Sequence, residues 1–549
     1  MVQNGDNVMD GADEKMLTSD EKERLAKKEE VKFISGDQQN GDAKIDIGTL
    51  DKAFTGMTKE ELMKYANDPF WIRLRWILFI IFWLLWIAML IGAIMIIINA
   101  PKCAAPTPLS WYKQGPLVKF DSSAPQDTDL STAQKVKARG VIYALPAEDT
   151  YSVNTPEVKE KVKKIVDHYK DKNMKVILDL TPNYISGDSQ LFKEALEDES
   201  KRSPFVWSNS ADKPTNWVST VGGSAWKKIE NNDSYFLSQF GDGKYDLQMN
   251  DNHVKTLFKE TLSNLVSLGV KGFRLANAKH FIINKELKDE LDVRNPNYDL
   301  LQYGFWSHSQ TTYQEGLGPL LHEFARTVYN TTDGDGFLSV SEDITRPEVF
   351  KIKSGSFAID IPMYGPLTYT LKLDADTTNR NLKDDLVNTF TEMGNATWLQ
   401  WNCEFAELGA MNPSAYNIFI SILPGVPVYL SDSVLVNNVS DAVISHLETI
   451  RSSASYMHGS FDIYHSTSLV AYSRIKSGNP GYFVILNPTD QYTTGNFTSG
   501  GLPDKMTVDL RSDNFNATDL DVKSKVATSS VPMPPFSAIV LTYVPVKSG

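Results

Sequence analysis

The chain has 549 residues, a net charge of −13 and two cysteines. That length allows an ordinary hydrophobic core, and two cysteines exclude a fold held by a disulfide framework. The charge is spread rather than blocked, and no basic patch or nucleic-acid motif occurs, so nucleic acid is excluded as a partner.

Residues 1–53 are rich in Asp, Glu, Lys, Gly and Gln, with Phe33 the only aromatic. Such a segment buries too little surface to offset its chain entropy and predicts a disordered tail. Residues 54–75 read as a juxtamembrane helix. Thr58-Lys-Glu-Glu61 is a capping box opening a helix through Tyr65, and Asn67-Asp68-Pro69 ends it, with Pro69 at the first position of the next helix. From Trp76 to Ile98 there is no charge at all. About 20 apolar residues suffice to cross a bilayer, so 76–98 predicts a transmembrane helix, too far from Met1 for a cleaved signal peptide. Arg73 and Arg75 precede the run and Lys102 follows it. The positive-inside rule then puts the N-terminus in the cytoplasm, a single-pass type II arrangement. Ala88 and Gly92, four apart, share one helix face and permit close approach by another helix, although small residues occur in many membrane helices. Residues 99–115 form an extracellular neck carrying Cys103.

Beyond the neck, short apolar strands alternate with amphipathic stretches. Gly140–Leu145, Lys175–Leu180, Val270–Leu275, Gly336–Ser341 and Gly425–Leu430 read as buried strands, and Val158–Lys172 and Val254–Leu268 as helices. That alternation over residues 116–456 predicts an α/β ectodomain, a parallel β/α barrel or a doubly wound sheet. From about Met457 the period becomes two, with Asn/Gly/Pro turns, predicting a separate antiparallel β-sandwich over 457–549. Six glycosylation triplets begin at Asn232, Asn330, Asn395, Asn438, Asn496 and Asn516, all after the span.

In a β/α barrel, functional groups gather at strand C-termini. Four polar clusters occupy such positions: Asp179 to Tyr184, Arg274 to His280, Glu342-Asp343, and Trp401 to Glu404. In order and spacing they resemble the signature regions of glycoside hydrolase family 13, the α-amylase and α-glucosidase family. The stretch from Asn216 to Leu247 resembles the insert of its maltase-type members, placing a short inserted domain at about 185–250. The resemblance implies a (β/α)8 barrel. It also implies lost chemistry. Ala276 stands where the family has its nucleophilic Asp, Tyr184 replaces a sugar-contacting His, and Cys403-Glu404 replaces a His-Asp pair. Asp179, Arg274 and Glu342 are the remnants. A retaining glycosidase needs two carboxyl groups, and Glu342 alone is an acid without a nucleophile. Arg274 is expected to form a structural ion pair with Asp179 or Glu342. No His/Cys/Asp cluster has metal-ligand spacing, and no cofactor is expected.

One span, a cysteine just beyond it and an inactive glucosidase-like ectodomain together resemble the heavy chains of heteromeric amino-acid transporters, solute carrier family 3. The stretches Asp68 to Trp76 and Ala100 to Cys103 look like that family's membrane junction. The resemblance implies a non-catalytic subunit that binds a multi-span light chain, carries it to the plasma membrane and is disulfide-linked to it through Cys103. An unpaired cysteine in a secreted region fits intermolecular pairing, with a Cys103–Cys403 bridge or a free thiol as the other readings. The competing functions are a membrane-anchored α-glucosidase and a cell-surface adhesion or carbohydrate-binding receptor.

Overall fold

Short parallel strands, most of them wholly buried, organise the computed structural model. It describes residues 59–99 and 107–545 apart from 230–232, 294, 371–381, 395–396, 405–407, 467, 499–500 and 518–519. The expected tail, Thr58, Cys103, Asn232 and Asn395 lie outside the described residues. The chain divides into two compact units, one ending at Ala104 and one beginning at Ala105.

In the first unit, a helix over Lys59–Ala66 is followed by a single helix over Pro69–Asn99. The Asp68 carboxylate accepts the Phe70 amide at 3.1 Å, which caps the long helix. That helix starts seven residues before the expected boundary at Trp76, because Phe70, Trp71, Ile72 and Leu74 extend the apolar surface past the two arginines. Its 31 residues span about 46 Å at about 1.5 Å each, more than the roughly 30 Å hydrocarbon core. It buries no residue, and among the described residues it is the one helix long and apolar enough to cross a membrane. Ala88 and Gly92 lie on it, and nothing approaches within 4 Å of a Cβ built at Gly92.

The second unit contains β1 (Leu117–Phe120), β2 (Gly140–Ala144) and β3 (Lys175–Leu180). Five short strands follow: β4 (Tyr184–Ser186), β5 (Trp207–Asn209), β6 (Trp226–Lys228), β7 (Ser234–Leu237) and β8 (Lys244–Asp246). Next come β9 (Gly272–Leu275), β10 (Phe337–Val340), β11 (Leu399–Cys403) and β12 (Gly425–Leu430). The main sheet has the order β10-β9-β3-β2-β1-β12-β11, parallel throughout. Residues 359–363 close the gap between β10 and β11. Asp360 N donates to Leu338 O at 2.9 Å, Gln400 N donates to Pro362 O at 3.0 Å, and Met363 bridges Gln400 in parallel. Pro362 has no N–H to give and Ile361 sits at φ 34°, so this eighth element pairs irregularly. The fold is an α-amylase-type (β/α)8 barrel. β4 to β8 form two small antiparallel sheets after β3.

Strand alternation sorts the barrel interior into layers. Leu117, Ile142, Ile177, Phe337, Val426 and Val428 form one buried apolar cluster. Gly272 is required there, since a Cβ would collide with the Phe337 ring. Two residues further along the strands come Lys119, Asp179, Arg274 and Ser339, the polar layer described below. The cluster is sealed by residues expected in the neck. A short helix over Trp111–Gln114 stacks Tyr112 on Phe337 at 4.7 Å and donates Trp111 Nε1 to Asp335 O at 2.9 Å. Tyr112 thus belongs to the barrel core, and Trp111 packs against it.

The C-terminal region differs from a separate domain. β13 (Ser460–Ser466), β14 (Leu469–Ile475), β15 (Gly481–Leu486), β16 (Thr493–Gly495), β17 (Lys505–Arg511), β18 (Lys525–Ala527), β19 (Val531–Met533) and β20 (Ala538–Tyr543) form a six-stranded antiparallel sheet and a β16–β19 pair. Alternate residues of the large sheet face two ways. Val470, Tyr472, Val484, Leu486 and Val540 join the barrel's own core, whereas Leu469, Phe483, Ile485, Ile539 and Leu541 form a second cluster with Val531 and Met533. One core therefore runs from barrel to sheet.

Candidate functional site

Arg274 on β9 is fully buried and anchors the polar layer. Its Nε and Nη2 donate to Asp179 Oδ1 and Oδ2, each at 2.7 Å, and its Nη1 donates to Glu404 Oε1 at 2.6 Å. Lys119 Nζ donates to Glu404 Oε2 at 2.8 Å and lies 3.6 Å from Asp179 Oδ2. Two cations thus neutralise two anions in a hydrogen-bonded cluster of the kind that makes buried charge tolerable. Arg274 and Lys119 hold the Glu404 carboxyl below the usual carboxylate range against the opposing effect of burial.

The expected partners of Arg274 were Asp179 or Glu342. Asp179 is one, and Glu404 takes the other place. Glu342 points elsewhere. Its Oε1 accepts the Lys279 amide at 3.0 Å. Burial raises its carboxyl above the usual range, and the Lys279 charge and two backbone amides pull it back. Ala276 follows β9 directly, its amide donating to Leu180 O at 2.9 Å, and its methyl brings no chemistry to the strand end. Tyr184 on β4 stacks near Phe240 with ring centroids 5.3 Å apart, and Lys244 Nζ lies 5.3 Å over its ring. Asn183 Nδ2 donates to Asn277 O at 2.9 Å.

Cys403 is the last residue of β11 and shares the apolar core with Leu399 and Trp401, on the face that alternates away from Gln400 and Asn402. It is wholly buried, and desolvation pushes its thiol up to about 12. His280 Nδ1 donates to Thr311 O at 3.1 Å, and burial lowers the ring to about 3, so it stays neutral. Asn330, Asn438, Asn496 and Asn516 are exposed. Lys119 escaped sequence reasoning. Its signal was a lone cation inside the four-residue strand Leu-Val-Lys-Phe, which a buried strand carries only where an anion meets it.

Both carboxylates of the layer are thus spent on Arg274 and Lys119. The arrangement braces the barrel interior, and one half-buried acid, Glu342, stands apart from it with the Lys279 amide as its partner.

A barrel with this strand-end pattern belongs to the α-amylase type. Residues 151–359 match the family described as alpha amylase, catalytic domain, and residues 42–118 match that described as solute carrier family 3 member 2 N-terminus. Rabbit (Oryctolagus cuniculus) amino acid transporter heavy chain SLC3A2 is 36% identical over 180 residues, covering 28% of this chain and 34% of that protein. Human (Homo sapiens) heavy chain SLC3A1 is 24% identical over 454 residues, covering 73% and 64%. Drosophila melanogaster maltase A2 is 25% identical over 297 residues, covering 49% and 52%. Among solved structures, Bacillus licheniformis trehalose-6-phosphate hydrolase superposes with a TM-score of 0.61 at 16% identity, covering 79% of this chain and all of that one. The chain spans between about a third and just under two-thirds of the length of these two heavy chains. Over these stretches the chain is similar to the solute carrier family 3 heavy chains, and its barrel is of the α-amylase type.

Proposed function

We propose that this chain is the non-catalytic heavy-chain subunit of a heteromeric amino-acid transporter. It binds a multi-span light chain, stabilises it and carries it to the plasma membrane. The observation that carries this reading is the match of residues 42–118 to a heavy-chain N-terminus, a stretch that includes both the long apolar helix and Cys103. The N-terminus is cytoplasmic, in line with Arg73 and Arg75 before the apolar run, and the barrel lies outside the cell. Catalysis is absent because Ala276 has no nucleophilic atom and because Asp179 and Glu404 are held by Arg274 and Lys119. Cys103 forms the interchain disulfide. Cys403 is a poor partner for it, being enclosed at the end of β11. The helix face bearing Ala88 and Gly92 supplies the intramembrane contact. Non-reducing electrophoresis of native membranes tests the covalent link. A heavier band that collapses on reduction is expected for wild type and not for Cys103→Ser, and its persistence in the mutant sinks the assignment.

A second reading, a membrane-anchored α-glucosidase, draws on the maltase A2 similarity and the retained Glu342. It requires turnover of maltose or a nitrophenyl glucoside by the purified protein, abolished in Glu342→Gln.

A further inference from the structure

A cavity of about 270 Å³ lies away from the Arg274 layer, beside the N-terminal ends of β1 and β2. Gly115 and Pro116, which lead into β1, and Lys137 and Arg139, which lead into β2, line it together with the helices Pro413–Ile422 and Asp441–Arg451. Its walls are apolar, with Val136, Leu435, Ile444, Leu447 and Met457. Its polar groups are unbalanced. Lys137, Arg139 and Arg451 contribute three cations, and Glu448 contributes the one carboxylate.

Arg451 and Arg139 are held by their surroundings, whereas Lys137 is exposed at the rim. Arg451 is 4% exposed, and its guanidinium donates to the carbonyls of Gln114, Ser421 and Gly425; among the described residues no carboxylate forms an ion pair with it. Arg139 reaches Glu448 only at 3.6 Å, both side chains being about a third exposed. Its stem lies over Gly115, where a Cβ would collide with it. Lys137 stands at φ 57°, a left-handed position that ordinarily favours glycine. Asn417 also lines the cavity. Its Nδ2 donates to Leu435 O at 2.8 Å, and its Oδ1 has no hydrogen-bond partner among the described residues.

We propose that this cavity binds an alkyl chain carried by an anionic amphiphile, of the fatty-acid type. The alkyl chain packs against Leu435, Ile444, Leu447 and Met457, where burial of methylene groups favours it. The head meets Lys137, Arg139 and the remaining N–H groups of Arg451. A water shared between the head and Asn417 Oδ1 satisfies both acceptors. The same chemistry comes from a free fatty acid or from an anionic bilayer lipid.

The test is photo-crosslinking of the full chain in phosphatidylcholine nanodiscs with a diazirine-bearing dodecanoate, followed by peptide mapping. Label is expected on peptides containing Leu435, Ile444, Leu447 or Met457, and excess dodecanoate removes it while dodecanol does not. The double variant Lys137→Gln/Arg139→Gln, with an unchanged melting temperature, is expected to lose labelling at least tenfold. Leu447→Phe, which fills the cavity without touching the cations, is expected to lose it too. Label elsewhere only, equal competition by dodecanol, or wild-type labelling in both folded variants overturns the proposal. Phosphatidylglycerol nanodiscs that suppress labelling identify a bilayer lipid as the occupant; undiminished labelling identifies the free acid.

Discussion

Arg274 forks onto Asp179, its Nε and Nη2 each 2.7 Å from one carboxylate oxygen, across the β3–β9 pairing that sets the two residues side by side. The bidentate geometry orients both groups and leaves Nη1 free to reach Glu404 on the far side of the barrel. In this way three strands are braced by one guanidinium.

Removing that guanidinium strands two carboxylates in a buried layer. Arg274→Ala is expected to cost roughly 3–5 kcal/mol of unfolding free energy. Chemical denaturation of the purified chain reads it. Lys119→Met is expected to cost less, since Lys119 is partly exposed and Arg274 still pairs with Glu404.

The same layer sets an acid limit. The Glu404 carboxyl lies below its ordinary value, so its contribution is present above that ordinary value and is lost as pH falls through the lowered one. The denaturant midpoint of wild type should fall with acidification below about pH 4.3, the ordinary Glu value. Glu404→Gln should flatten that part of the profile, and an unchanged slope would contradict the assignment.

Asp246 works in the opposite direction. It is buried on β8, accepts the Gln239 amide at 2.6 Å, and desolvation raises it to about 7. A folded value above the unfolded one means that stability is fully present at low pH and is lost as pH rises through about 7. Asp246→Asn keeps an acceptor for Gln239 and removes the ionisation. The variant should therefore gain stability relative to wild type as pH rises from 4 to 8, as read by thermal melts across that range.

His446 ties the helix Asp441–Arg451 to β17, its Nε2 2.9 Å from Asp509 Oδ2. That hydrogen bond raises the imidazole above its ordinary value. The stabilisation is thus present below about pH 6.5 and is lost as pH rises through the raised value. His446→Gln should weaken the protein more at pH 6 than at pH 8.5. Equal effects at both would show that the pair contributes nothing.

Enzymatic removal of N-glycans should shift the electrophoretic mobility of the native chain if the barrel faces outward. Replacing Asn330, Asn438, Asn496 and Asn516 one at a time with Gln should each remove one step from that shift, because all four side chains are exposed. No shift in any variant would argue against the proposed orientation.

Much of this was legible in the residues. The runs Gly140–Ala144, Lys175–Leu180 and Gly425–Leu430 read as buried strands because both faces of a parallel sheet demand apolar side chains. Boundaries were less legible. Residues 111–114 looked like neck because four residues carry no periodicity, yet Tyr112 plugs the barrel through its stacking on Phe337. The C-terminal strands looked like a domain of their own, since a period of two says that faces alternate but not what each face meets.

By itself, the sequence determined the apolar helix, the alternation of strand and helix, and the bare methyl side chain at Ala276. These are local properties, written in hydrophobic period and residue type. Only the tertiary structure decided that Glu404, and not Glu342, completes the Arg274 cluster, and that Lys119 joins it. Partners 95 and 130 residues from Arg274 meet through the order of strands around the barrel, a long-range arrangement that no local pattern encodes.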